Sequence, residues 1–317
     1  MSEQENDGCA AGFGTRLIGR TDEMVLPIGM HDFTEAARRC VLIDKTMFIA
    51  DVLDCDASVV VCCRPEGFGK SMNLSMLKAF LERPAVGRAD RSLFAGSRIW
   101  DADGGHYRGE YACYLVVSLD FSGAAGSGAA VAGVVRDALS SECVRLLPFL
   151  EAPDLPRDKV RHIERVARGA ANEDEVDSVL AVLIELLEMA CDEQVVLLVD
   201  GYDAAWLCRA ALRGTCDDDP AELLDRVLFD AIVAAGDSMR LACLMGECSG
   251  PAEAALALRG CSYCSATPLS TWCDRWFGFS DAEVEALLSH AGREEYLDDA
   301  REWLEGYRFG GAYCSSP

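Results

Sequence analysis

An α/β fold on a mainly parallel sheet, with a small helical subdomain at its C-terminal end, is predicted by three features of this 317-residue chain. Short, continuous runs rich in Val and Leu recur, the pattern of strands buried on both faces. Stretches with apolar spacings near three and four lie between them and are long enough for crossover helices. One of the runs passes through a Gly-containing turn directly into a helix.

In chain order, residues 1–24 are polar, contain Gly and have no periodicity, so a disordered tail is expected there, with structure starting near Leu26. Strands are expected at Ser58–Cys63, Tyr114–Leu119, Val195–Val199 and Leu241–Met245, and helices at Met72–Glu82, Val131–Leu147, Glu175–Cys191 and Ala221–Ala235. This gives an α/β domain over residues 25–260, whose ligands would bind at the carboxyl ends of the strands. Beyond Gly260 the chain turns irregular and aromatic. Ser280 with Glu283 then forms a capping box that opens a helix, and another helix follows near Glu295–Glu305. Val284, Leu287 and Leu288 form an apolar stripe to be covered by the α/β domain, together with Trp303, Tyr307 and Phe309.

Composition narrows the function classes. Half the residues are apolar, so a substantial core can form. Lys and Arg number 29 against 53 Asp and Glu, and the formal charge of −24 repels phosphate backbones and anionic membranes. Nucleic-acid binding would need a local basic patch. The best candidate, Arg157–Arg168, has the charge pattern of a solvated helix face. The chain opens with neither a basic nor an apolar leader, and no apolar run approaches the roughly 20 residues of a membrane span. A cytoplasmic protein is expected, its 16 cysteines reduced and many of them buried as small hydrophobes.

The segment "VVVCCRPEGFGKSMNLSML", Val59 to Leu77, has the order a phosphate-binding loop needs: strand, tight turn, Gly-Lys-Ser, helix. Such a loop presents backbone N–H groups to an anion at a helix N-terminus, adds a Lys for the outer phosphates, and offers a hydroxyl to Mg²⁺. Lys70 and Ser71 fit the last two roles, and Gly67 and Gly69 allow the backbone to approach closely. Arg64 stands where the regular pattern has its first Gly, and Glu66 sets a negative charge on the loop. A companion, "VVLLVDGYD", ends a strand in Asp200, whose carboxylate is suited to the Mg²⁺ side of the site. The next residue, a Glu in many ATPases, is Gly201, and restoring Glu there is expected to raise turnover. "GAAGSG" at Gly123–Gly128 has the wrong spacing for a dinucleotide fingerprint. Cys261, Cys264 and Cys273 lack the second pair that a zinc site requires.

Several separated motifs resemble, in order, the AAA-ATPase-like family: "LPIGMHDFTEAARRCVLIDKTMFIADVL" from Leu26, "RPEGFGKSMNLSMLKAFLE" from Arg64, "LVDGYD", and finally "WFGFSDAEVEALL" and "WLEGYRFG". The resemblance implies a P-loop NTPase-like domain, which in this family of bacterial proteins is usually followed by a PD-(D/E)XK nuclease domain. It implies that Arg64 belongs to the family's own loop, that Lys70 and Ser71 meet ATP and Mg²⁺, and that Asp200 is the acid on the metal side. Asp203 would be the nearest stand-in for the missing acid. Glu66 and Gly67 replace two Arg of the family loop, Gly201 replaces its acidic residue, and "LMGECSG" lacks the Arg that usually follows. The expectation is an ATP-binding protein with weak or absent hydrolysis. The alternative is a non-enzymatic interaction module that no longer binds nucleotide, with its protein partner left open.

Overall fold

The structure, a computed structural model, describes residues 14–22, 24–85, 87–124, 128–207, 220–304, 307–309 and 312–314. Five parallel strands form the central sheet. After a short antiparallel pair, β1 (Leu17–Gly19) with β2 (Val41–Ile43), come β3 (Val59–Cys63), β4 (Leu115–Asp120), β5 (Val195–Asp200), β6 (Met239–Gly246) and β7 (Tyr263–Ala266). Their spatial order is β4-β5-β6-β3-β7. The four strands expected from continuous apolar runs are present within two residues of their predicted ends. Every residue of β3 and β5 is buried, as a central parallel strand covered on both faces must be.

Because side chains alternate along a strand, the sheet divides the core in two. On one face Val59, Val61, Val195, Leu197 and Val199 pack under α5 (Gly128–Leu146), α7 (Glu173–Cys191), the helical stretch α8 over residues 220–235, and α9 (Gly250–Leu258). On the other face Val60, Cys62, Val196 and Leu198 pack under α1 (Phe33–Arg39), α2 (Phe48–Leu53) and α3 (Lys70–Leu81), with Trp276 and Phe277 beside them. Four-residue α4 (Arg98–Asp101) lies between α3 and β4 in sequence. The basic run becomes α6 (Arg157–Ala167). It buries Val160, Ile163 and Val166, and several of its cations meet carboxylates, with Lys159 on Glu185 and Arg165 on Glu175.

Three features depart from expectation. Leu17–Gly19, inside the expected tail, is held by β2 through Leu17 opposite Ile43 and Gly19 opposite Val41. Strand β7 pairs with β3 and carries the sheet past the expected boundary at residue 260. The stripe on α10 (Asp281–His290) is only half-buried. No residue of that helix is buried, although the Ser280–Glu283 capping box is present as expected. The C-terminal segment is instead anchored by Trp276 and Phe277. Phe277 is fully buried, edge-on to Phe48 at 5.7 Å between ring centroids. A further helix, α11 (Leu297–Leu304), is followed by a hairpin of β8 (Tyr307–Phe309) and β9 (Ala312–Cys314). The side chains of Trp303, Tyr307 and Phe309 lie outside the described residues, as do Ala125–Ser127 of the Gly-rich loop.

Candidate functional site

The chain leaves β3 toward α3 on one face of the sheet and leaves the adjacent β6 toward α9 on the other. Neighbouring strands whose connections diverge in this way open a crevice at their carboxyl ends, where α/β proteins bind ligands. The loop Arg64–Gly69 and the turn after Gly246 line that crevice.

The loop's shape follows from its glycines. Gly67 and Gly69 have φ of +85° and +81°, a region open to Gly at little cost, and Gly69 is the residue at which α3 starts. The 12-residue helix α3 therefore begins at Lys70 with its free N–H groups facing the crevice. Arg64 is fully buried. Its Nη1 donates to the carbonyls of Cys63 at 2.7 Å and Ala266 at 2.8 Å, and its guanidinium lies 4.9 Å from the centre of the Phe277 ring. In place of the regular Gly, this residue ties the base of the loop to β7 and to the C-terminal segment. Its placement inside the fold, rather than in the crevice, differs from that of a phosphate ligand.

Lys70 Nζ donates to the carbonyls of Arg64 at 2.8 Å and Pro65 at 2.9 Å, and lies 3.9 Å from Glu247 Oε1. The Ser71 hydroxyl donates to Asp200 Oδ2. Asp200 is buried, and burial above all raises its carboxyl pKa. The Asp120 charge adds to the rise, while the Ser71 hydrogen bond and the Lys70 ammonium oppose it. Asp120 stands opposite Asp200 in the sheet register, on the same face, and its Oδ1 accepts from the Ser122 amide at 2.9 Å and hydroxyl at 2.6 Å.

The residues after Asp200 act on the neighbouring strand. Asp203 is buried, and its Oδ2 accepts from the Glu247 and Cys248 amides, both at 2.7 Å. Tyr202 is also fully buried and donates its hydroxyl to the Cys248 carbonyl at 2.6 Å; burial pushes its phenol far above the ordinary value. Burial likewise raises the adjoining Cys63 thiol to about 12. Gly201 has φ of +65°, and a Cβ there would lie 2.5 Å from the Ser122 backbone nitrogen. The expectation that Glu at this position would restore a carboxylate is therefore corrected: the main chain after β4 occupies the space a side chain would need.

The structure thus brings Lys70, Ser71 and Asp200 together, with Gly67 and Gly69 shaping the loop. It sets Arg64 beneath them and Asp203 against the turn after β6. Sequence reasoning missed Glu247, the acidic residue nearest the Lys70 ammonium among those paired with it here. Its one available signal was its position just past the end of an apolar strand. Beside the loop, a mostly apolar recess of about 130 Å³ is lined by Leu26, Ile43, Phe68, Met72, Trp276 and Phe279. Lys45 and Glu283, 2.6 Å apart, join the N-terminal and C-terminal segments that meet around it.

Among the described residues, no helix is long and apolar enough to cross a membrane. No curated protein and no solved structure gives a significant match to the chain. A family described as predicted AAA-ATPase matches residues 27–247, from the segment before β1's partner strand through the end of β6. That span includes the loop, Asp200 and Asp203, and it stops before the segment anchored by Trp276 and Phe277. On this match over most of its length, the chain belongs to the AAA-ATPase-like family.

Proposed function

We propose that this protein binds ATP with Mg²⁺ in the crevice between β3 and β6 and hydrolyses it slowly. The observation that carries the reading is the meeting of Lys70, Ser71 and Asp200 at the N-terminus of α3. An ammonium, a hydroxyl and a carboxylate converge there on the positive end of a helix dipole. The Ser71 hydroxyl and Asp200 carboxylate are hard oxygen donors of the kind Mg²⁺ prefers, and they would hold it. Mg²⁺ would neutralise phosphate charge when bound. Lys70 would exchange its two loop carbonyls for phosphate oxygens, and the amides of Gly67–Ser71 would cradle them. The apolar recess beside Phe68 and Met72 would take the base.

Asp203, through its bonds to two amides, serves in this reading to position the turn after β6, and Arg64 to support the loop from below. The test is calorimetry of ATP with Mg²⁺ on the wild type and on Lys70→Ala. A saturable heat in the wild type that the variant lacks is the expected result. Absence of binding in both would overturn it.

A further inference from the structure

We infer that Glu247 is the carboxylate that orients and deprotonates the attacking water, in place of the acid that Gly201 cannot supply. The inference rests on the ATP-binding reading above. Gly201 has a left-handed backbone and packs against Ser122, so β5 offers no side chain at that point.

The acidic residues around the crevice differ in what already holds them. Asp200 is bonded to Ser71, Asp203 to two backbone amides, and Asp120 to the amide and hydroxyl of Ser122. Glu247 meets Lys70 at 3.9 Å, with its side chain 45% exposed. At 3.9 Å and with Glu247 open to solvent, the pair is weak even though Lys70 itself is largely covered. Lys70 would turn to an incoming phosphate by exchanging the Arg64 and Pro65 carbonyls for it, and leave Glu247 beside it. A phosphate held by Lys70 would then have the Glu247 carboxylate on its flank, where a bridging water could give up its proton to it.

Its backbone, in contrast, is tightly held. The Glu247 and Cys248 amides are bound by Asp203, and the Cys248 carbonyl by Tyr202. The "DGYD" stretch thus contributes to chemistry through the neighbouring strand. As the water oxygen bonds to the γ-phosphorus, the bond from that phosphorus to the β–γ bridging oxygen breaks, and its electron pair leaves with ADP. The water proton passes to the Glu247 carboxylate and then to solvent.

The test is single-turnover hydrolysis of ATP with Mg²⁺ by the full chain, with calorimetry in parallel, for wild type, Glu247→Gln, Asp120→Asn and Glu66→Gln. The expected result is that Glu247→Gln binds ATP within a few-fold of wild type while its hydrolysis rate falls about a hundredfold or more. A Glu247→Gln variant that hydrolyses as fast as wild type or faster overturns the assignment, as does a comparable loss in Asp120→Asn or Glu66→Gln alone. Wild-type binding without hydrolysis overturns this inference and leaves the binding proposal standing. A wild type that binds no ATP overturns both.

Discussion

The Ser71 hydroxyl donates its hydrogen bond to Asp200, joining the first turn of α3 to the end of β5 across the intervening strand β6. Such a bond keeps a buried carboxylate satisfied while leaving both oxygens at the helix terminus, where a divalent cation would find them. Asp200 is buried and its carboxyl is raised from the ordinary 3.8, first by desolvation and then by the Asp120 charge. Folding therefore favours its protonated form. That contribution is fully present below the unfolded-chain value of about 3.9 and is lost as pH rises through the higher folded value. Burial makes the ionised carboxylate a cost to the apo fold. Asp200→Asn is thus expected to melt at the same or a higher temperature than wild type at pH 7 without nucleotide, and to lose any rise produced by ATP with Mg²⁺. A lower apo melting temperature would count against this account.

Lys70→Ala should separate binding from folding. Lys70 donates to the Arg64 and Pro65 carbonyls, and losing these two bonds should cost the apo protein on the order of 1–3 kcal/mol while leaving it folded. A ligand that binds only the folded chain stabilises it by about 2.7 kcal/mol at a hundred times its dissociation constant. Thermal melts of the wild type should rise with millimolar ATP and Mg²⁺, and those of Lys70→Ala should not. Equal rises in the two proteins would show that the nucleotide binds elsewhere.

At Gly201 the backbone decides the outcome of substitution. A non-glycine residue held at φ of +65° costs on the order of 1–3 kcal/mol, before the clash with Ser122 is added. Gly201→Ala and Gly201→Glu are both expected to lower the unfolding free energy by at least about 1 kcal/mol in urea titrations, and neither should gain ATPase activity. A stable Gly201→Glu variant that hydrolyses ATP faster than wild type would mean that the turn after β4 can move aside.

How far these features could be read from the sequence depends on whether they are local. Strands β3 to β6 were legible because burial on both faces forces continuous apolar runs. The Lys70–Ser71 turn was legible because strand, turn and helix follow one another directly. Strand β7, "YCSA", is a short edge strand of three half-buried residues and a buried Ala266, and carries no such pattern. Strand β1 exists through its pairing with β2, which a polar stretch does not announce. The nearness of Glu247 to Lys70 depends on β6 lying between β3 and β5. Strand order arises from how the crossovers pack, so residues far apart in sequence become neighbours with no local signal. For the same reason Asp203 reads as a spare acid in the sequence and as a clamp on the next strand in the fold.

The C-terminal segment shows where stability and site meet. Phe277 is fully buried against Phe48 and lies over Arg64. Beside it the Trp276 carbonyl accepts from Asn73 Nδ2 at 2.9 Å, and its indole N–H donates to Asp51. These contacts fasten the segment to α2, to α3 and to the base of the loop Arg64–Gly69. Deleting a buried aromatic side chain typically costs about 3–5 kcal/mol, a large part of the 5–15 kcal/mol that holds an ordinary domain together. Phe277→Ala is therefore expected to lower stability by about that amount in denaturant titrations and to weaken ATP binding through the loosened Arg64. A chain ending at Ser270 loses both aromatic anchors, and the 2–3 kcal/mol available from saturating nucleotide cannot offset them. It should aggregate or melt at a much lower temperature with or without ATP. A truncated chain that stays soluble, unfolds cooperatively and binds ATP normally would show that the segment is detachable and that the loop keeps its shape without Phe277.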